Sequence, residues 1–339
     1  MTCLGIYLIY QNISGFKRKN YGFLFLACTF LPALFLNNMV YNDILALSLF
    51  IYSIYFSILH IRTQRLNHLL ISSVLLGIGN IFRPVGIIYL IAIIINYGFN
   101  YHKILKIKQK FIAVTVFVFI FMLPSNILFT SLKAAKITDE LSGTNAPSHW
   151  MYINMGIPSD KFLGFYDNGT SLDIYTNKSN SNRITSDKIF KQSIKEKLSR
   201  FSAYELVKQY FKKAFWLWTE GNYQSEFYGL GNHLYGGYVY HNPINSLFAE
   251  GSNPREFLKW IIYISNIIFL IMTVIFTMYL IKNYDINYLL PILVILGFLA
   301  FYIIWETKSR YLFTCYPFLL ILFYAGFNKV YELIITKQI

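Results

Sequence analysis

Charge is scarce in this chain. Of its 339 residues only 14% are Asp, Glu, Lys or Arg, 55% are hydrophobic, and the mean hydropathy is +0.44. That balance excludes an ordinary soluble enzyme, although the length could hold two soluble domains. Acid is the scarcer sign, 16 Asp and Glu against 30 Lys and Arg, for a formal net charge of +14. Cysteine is rarer still. Cys3, Cys28 and Cys315 all lie in apolar runs, which excludes a disulfide framework in an exposed loop and argues against a cysteine zinc site. His149, His233 and His241 have no ligand spacing that marks a metal site. No metal ligand and no cofactor is assigned from the sequence.

What is abundant is apolar sequence in long runs. These cover 21–36, 44–60, 67–82, 84–100, 111–131, 259–281, 287–304 and 311–327, each near the roughly 17–25 residues that cross about 30 Å of hydrocarbon. The expected fold class is all-α integral membrane, with eight full transmembrane helices. A ninth run, 3–13, is too short to span and lacks the basic leader of a secretory signal. It reads as the inner half of a truncated helix or as a short interfacial anchor. The frequent Ile, Asn, Lys, Phe and Tyr suggest an AT-rich bacterial genome and say nothing of chemistry.

Orientation follows from the basic residues, which collect in cytoplasmic loops. Lys17, Arg18, Lys19, Arg62, Arg65, Lys103, Lys106, Lys108, Lys110, Lys282, Lys329 and Lys337 fall in alternate loops, while the opposite short loops hold Arg83, Lys308 and Arg310. The expected protein is a multi-pass plasma-membrane protein with membrane helices over 1–131, an extracytoplasmic loop domain over 132–257, membrane helices over 258–339 and a cytoplasmic C-terminus. The net charge is then mostly topological and gives no support to nucleic-acid binding.

The long loop divides into three. Residues 136–182 are rich in turn formers, with the acidic step Asp139-Glu140 read as a solvated turn. Residues 186–218 turn helical: Ile189, Phe190, Ile194 and Leu198 keep a spacing near 3.6, and Ser202-Ala-Tyr-Glu205 matches a capping box opening a second helix. That helix sets Val207, Phe211, Phe215 and Trp218 against Lys208, Lys212 and Lys213. It suits either the outer leaflet near anionic head groups or packing on the protein's own surface. Residues 221–246 are rich in Gly and Tyr, as sugar-binding surfaces and membrane-interface anchors both are.

At the outer ends of the spans stand Asp43, Arg83, Glu306, Lys308 and Arg310; the Arg and Lys among them oppose the usual charge bias, and charge at this boundary needs partners. One reading is a structural ion pair that uses Asp43 or Glu306. The other is an anionic head group, with arginine offering a planar fork to phosphate oxygens and lysine a point charge.

Here the residues resemble a family. Glu306-Thr-Lys-Ser-Arg310-Tyr311-Leu, followed by Pro317, is similar to the signature of the polytopic C-type glycosyltransferases, which include protein O-mannosyltransferases and aminoarabinose transferases. The bacterial cell-surface members are most alike. Tyr41-Asn-Asp43, Arg83-Pro84 and the series His149-Trp150, Met155-Gly156, Gly164-Phe-Tyr166 and Asp173 agree with it, so the resemblance runs from about residue 20 to 327. It implies transfer of a sugar from a polyprenyl-phosphate carrier to a glycan or protein acceptor outside the membrane, with no nucleotide sugar. By that resemblance Arg83, Glu306, Lys308, Arg310 and Tyr311 contact the carrier phosphate, and His149, Trp150, Tyr166 and Asp167 the acceptor or sugar. The family's catalytic acid lies in a first outer loop that this sequence does not contain, which suggests an inactive truncated form. Asp43 is the acid best placed by topology to serve as catalytic base, with Asp167 and Asp173 behind it. The alternatives are a non-catalytic membrane protein that binds a lipid carrier or partner, and a surface-polysaccharide polymerase or ligase. A transporter is disfavoured, because the span centres are almost uniformly apolar.

Overall fold

The computed structural model describes residues 1–15, 20–37, 41–100, 107–137, 147–159, 162–166, 169–225, 251–283 and 285–336. Among these the chain is all-α, with no strand beyond two isolated bridges. Five helices are long and apolar enough to cross a membrane: Asn42–Thr63, Gln109–Ala134, Asn253–Asn283, Ile286–Ile304 and Ser309–Ile335. Leu66–Phe82 and Gly86–Asn100 are shorter apolar helices. The chain is, on these helices, a multi-pass membrane protein.

The described residues fall into two compact units. One comprises Met1–Ser125, Gly221–Gly297 and Leu312–Ile339, the other Asn126–Glu220 and Phe298–Tyr311. Among the described residues, 221–225 and 251–257 group with the membrane helices and 298–311 with the loop.

The first unit contains α1 (Thr2–Ile13), α2 (Tyr21–Cys28), α3 (Leu31–Leu36), α4 (Asn42–Thr63), α5 (Leu66–Phe82) and α6 (Gly86–Asn100). Most of α7 (Ile107–Ala134) belongs to it as well. The run 21–36, expected as one span, is divided between α2 and α3. Pro32 gives the reason: it has no N–H to donate to the Cys28 carbonyl, and its ring clashes with that carbonyl in a continuous helix. Thr29 ends α2 instead, with its backbone N–H and its hydroxyl both donating to the Phe25 carbonyl, at 3.0 and 2.9 Å. Beside the break lies an apolar cavity of about 170 Å³, lined in part by Leu26, Phe30, Pro32, Ile262 and Asn266.

With lipid as the solvent, helices are held together by close packing and hydroxyl bonds rather than by the hydrophobic effect. Ser53 and Ser72 do this between α4 and α5, each hydroxyl donating to the other residue's carbonyl at 2.8 and 2.7 Å. Ser73 donates to the Phe117 carbonyl of α7 at 2.5 Å, and a Cβ on Gly77 would stand 2.5 Å from the Phe121 carbonyl oxygen. Outward faces of the long helices stay apolar, with Phe119 and Met278 more than 60% exposed, as lipid contact demands.

The remaining long helices are α12 (Asn253–Asn283), α13 (Leu289–Ile304) and α14 (Tyr316–Thr336). Gly326 lets α14 approach α12, since a Cβ there would lie 2.9 Å from the Met272 carbonyl oxygen. On the other side of α14, Tyr10 of α1 is fully buried between Phe23 and Tyr324 and accepts a bond from Asn328 at 3.1 Å.

Gly77→Val should lower stability by about 1–3 kcal/mol by forcing α5 from α7. Gly98→Ala, where an added Cβ meets nothing within 4 Å, should leave it unchanged or raised. Thermal unfolding of the two variants in detergent checks this, and equal midpoints would mean that α5 and α7 do not meet at Gly77.

Candidate functional site

The second unit is built from α8 (His149–Gly156), α9 (Thr170–Asp173) with a π turn over Ile174–Lys178, α10 (Arg183–Ser199) and α11 (Ala203–Thr219). To these it adds the last part of α13 and residues 305–311. Its small core is Met151, Met155, Ile174, Tyr175 and Phe190, with Trp150 and Tyr166 packed against it. The capping box expected at the start of α11 is formed. The Glu205 carboxylate accepts from the Ser202 N–H at 2.9 Å, and the Ser202 hydroxyl accepts from the Glu205 N–H at 3.3 Å. The Ser202 N–H and the Ser202 hydroxyl, which donates to the same carboxylate at 2.8 Å, hold the Glu205 carboxyl below its usual range.

Lys213 is the structural centre of this unit. Its side chain is 1% exposed, and its ammonium donates to the carbonyls of Gly156 at 2.5 Å, Trp305 at 2.8 Å and Ile303 at 2.9 Å. Gly156 ends α8, and Ile303 and Trp305 lie at the end of α13, where carbonyls have no intrahelical donor. The three N–H bonds of an ammonium match these three acceptors, and a cation suits the negative end of a helix. Two glycines make room for the arrangement. A Cβ on Gly156 would sit 2.2 Å from the Ile304 carbonyl oxygen, and Gly164, at φ +82°, would place one 2.8 Å from the Gly156 oxygen and 3.1 Å from Cε of Lys213. Burial pushes the ammonium down to about 7, opposed by the charge of Glu306.

Residues 306–311 leave this anchored end as a shaped loop. Thr307 donates to the Gly164 carbonyl from its N–H at 2.8 Å and from its hydroxyl at 3.2 Å, and it pairs with Phe165 in a short parallel bridge. Glu306 is buried and accepts from the Tyr311 hydroxyl at 2.7 Å. Tyr311 in turn stacks on Tyr302, with ring centres 5.6 Å apart. Lys308 is half-buried with its ammonium 4.9 Å from the centre of the Tyr166 ring, within cation–π reach. Burial lowers the pKa of Lys308, and the like charge of Arg310 lowers it further, against the pull of Glu306. Tyr152 lies in the same neighbourhood: it stacks on Trp305 at 5.3 Å, and its phenol is pushed up by burial, by Tyr166 and by Glu306.

The sequence-predicted residues thus separate. Glu306, Lys308, Arg310, Tyr311 and Tyr166 come together in one unit. Asp43 and Arg83 come together in the other, where Arg83 Nε stands 2.8 Å from Asp43 Oδ1 and the Asp43 side chain is 4% exposed. Of the two sequence-level readings for these charges, the structural ion pair is therefore realised for Asp43. His149 is exposed at the start of α8, which Ser148 caps. Trp150 lies under the ammonium of Lys191, 4.8 Å from its ring centre. Asp173 accepts from the Asn177 side chain at 2.7 Å. Asp167, the Asp139-Glu140 step, the Gly- and Tyr-rich stretch from 226 onward, and His233 and His241 lie outside the described residues. Among the described residues no three His, Cys, Asp or Glu side chains gather as a metal site would require.

No family model matches the sequence, and no curated protein or solved structure matches it.

Sequence reasoning missed Lys213 as a site residue. The available signal was its place on the helical wheel, on the face of Gln209 and Leu217 and opposite Phe211 and Phe215. Lys213→Met should destabilise the protein by roughly 1–3 kcal/mol, the scale of a lost charged hydrogen-bond donor. Lys208→Met and Lys212→Met, at exposed positions, should stay within about 0.5 kcal/mol.

The unfolded chain holds a proton on Lys213 up to about pH 10.5, whereas the folded chain gives it up near 7. Stability from this group therefore rises between those values and is flat below them. The gap in melting temperature between wild type and Lys213→Met should widen from pH 7 to pH 9. A constant gap would mean that the ammonium stays charged in the fold.

Proposed function

We propose that this chain is a membrane glycosyltransferase, or the carrier-binding part of one, and that the loop 306–311 holds the phosphate of a polyprenyl-phosphate sugar. The observation that carries this reading is the pair of half-buried cations on one short turn. Lys308 and Arg310 are close enough for Arg310 to lower the pKa of Lys308, and Lys308 stands over the half-buried ring of Tyr166 and Arg310 over the buried ring of Tyr311. Two like charges held together in a partly dry place are relieved by an anion of more than one charge. A phosphate monoester supplies that charge, and an isoprenoid tail is the kind of substituent that delivers it to a membrane protein.

The reading assigns a role to each residue of the loop. Arg310 offers its fork to the phosphate oxygens and Lys308 a point charge. Tyr311 holds Glu306, so that the acid beside the cations is kept in a hydrogen bond at the base of the loop. Tyr152 and Tyr166 present aromatic surface to the sugar. This reading rests also on the resemblance of Glu306-Thr-Lys-Ser-Arg310-Tyr311 to the C-type glycosyltransferase signature, and with it go eight spans, an extracytoplasmic position for the loop and a cytoplasmic C-terminus. Asp43 and Arg83 enter it as an ion pair that fixes the start of α4 to the end of α5. The acid that deprotonates the acceptor is left unassigned, which is why the test reads binding as well as transfer.

Purified protein should gain thermal stability from polyprenyl monophosphate and none from the corresponding polyprenol. In Arg310→Ala the affinity for the phosphate should fall at least about tenfold, the effect of losing a charge-assisted hydrogen bond, while membrane insertion is unchanged. Equal stabilisation by the alcohol, or unaltered affinity in Arg310→Ala, would remove the phosphate role. Transfer with pyrophosphate-linked oligosaccharide alone would assign the protein to polysaccharide polymerisation or ligation instead.

A further inference from the structure

The two faces of α11 have opposite characters. One carries Gln209, Lys213 and Leu217, all buried, and on its flank Trp216 meets Phe165 edge-on with ring centres 4.5 Å apart. The other carries Tyr204, Val207, Phe211 and Phe215 with exposures of 76, 69, 69 and 61%. Their spacing of three and four residues puts them in a single stripe, and at 1.5 Å per residue the stripe runs for about 17 Å. Lys208 and Lys212, both exposed, follow along one edge of it.

Two occupants could be imagined for such a stripe, another protein surface or a bilayer, and the buried face decides between them. Lys213 is bonded to the carbonyls of Ile303 and Trp305, at the end of the apolar segment Ile286–Ile304 that is long enough to span the membrane. The last carbonyls of a spanning helix lie where hydrocarbon gives way to head groups, and Trp305 beside them is a residue type favoured at that level. A lysine side chain is shorter than the width of one helix, so α11 is tied to the depth of the interface. The helix itself cannot cross, with Glu205, Lys208, Lys212 and Lys213 inside its seventeen residues. At the interface, an aromatic stripe bordered by lysine fits an acyl boundary covered by anionic head groups.

We infer that α11 is an interfacial membrane helix, with Tyr204, Val207, Phe211 and Phe215 immersed in the leaflet at the end of α13 and Lys208 and Lys212 engaging anionic phospholipid. This inference uses neither the sugar nor the carrier, and it stands or falls apart from the proposed function.

The test is made on the full chain reconstituted in bilayers. With Cys3, Cys28 and Cys315 replaced by serine, nitroxide labels are placed singly as Phe211→Cys, Phe215→Cys and Glu205→Cys. Their collision rates with oxygen and with a water-soluble nickel chelate are then compared. In phosphatidylcholine containing phosphatidylglycerol, the labels at 211 and 215 should favour oxygen and lie about 5–10 Å below the phosphates, while the label at 205 favours the nickel chelate. Adding Lys208→Gln should lower the ratio of immersed to non-immersed label at 215 by about fivefold, the factor that corresponds to the roughly 1 kcal/mol of one lysine near an anionic surface. In pure phosphatidylcholine that substitution should have no effect. A second measurement leaves the native cysteines in place: p-benzoylphenylalanine at position 211 should photo-crosslink to lipid. Labels at 211 and 205 that respond alike to the nickel chelate would overturn the inference. So would a crosslink from position 211 to a second copy of the chain.

Discussion

The carbonyls that end a helix have no intrahelical donor and must be met by water, by a head group or by the protein itself. At the end of α13 the protein supplies the donor, the ammonium of Lys213. Because that one group also binds the last carbonyl of α8, a single buried cation closes two helix ends that are 90 and 57 residues away from it in sequence. The consequences run outward from this point. Gly156 and Gly164 have to be glycine because backbone must pass close to the clamp. Thr307 leaves the clamp already bonded to Gly164, and only then can the turn from Glu306 to Tyr311 take a defined shape. A loop shaped in this way presents Lys308 and Arg310 at fixed positions, which a flexible linker between two spans would not do.

Charge at the membrane boundary is handled in two different ways. In one unit, Asp43 and Arg83 neutralise each other at 2.8 Å, an arrangement that leaves little net field and acts as a tie between helices. In the other, the acid of the loop accepts from a tyrosine hydroxyl, and two cations stand on the same short turn. The charge of Arg310 lowers the pKa of Lys308, and that of Glu306 acts in the opposite sense. Sites that keep like charges together at the expense of stability are places to look for a ligand, and this contrast is the reason the phosphate reading is attached to the second unit alone.

Much of the architecture was legible in the sequence, because a spanning helix needs only length and apolar composition. The break in 21–36 was legible in principle from Pro32, but a run of apolar residues hides it, since hydropathy does not register a missing N–H. Ser202 and Glu205 were read correctly because a capping box is local, completed within four residues. The partner of Asp43 was not readable. Sequence offers Arg83, Lys308 and Arg310 as cations of the same boundary, and the choice among them depends on which helices pack together. Lys213 was hidden for the same reason: its acceptors are backbone carbonyls, which have no residue identity and so leave no trace in a motif.

The residue types on α11 show why composition alone misleads here. Three lysines among exposed aromatics suggest one solvated or lipid-facing edge, and two of them, Lys208 and Lys212, fit that description. The third is turned by one step of the helix onto the opposite face, where it becomes the most buried cation among the described residues of the unit. An amphipathic helix that only rested on lipid would keep all of its charge at the water side. An amphipathic helix that only packed on protein would not leave Phe211 and Phe215 more than 60% exposed. Both features together are what a helix needs if it is to transmit the level of the membrane surface to the end of a span, and through that end to the loop that carries Lys308 and Arg310.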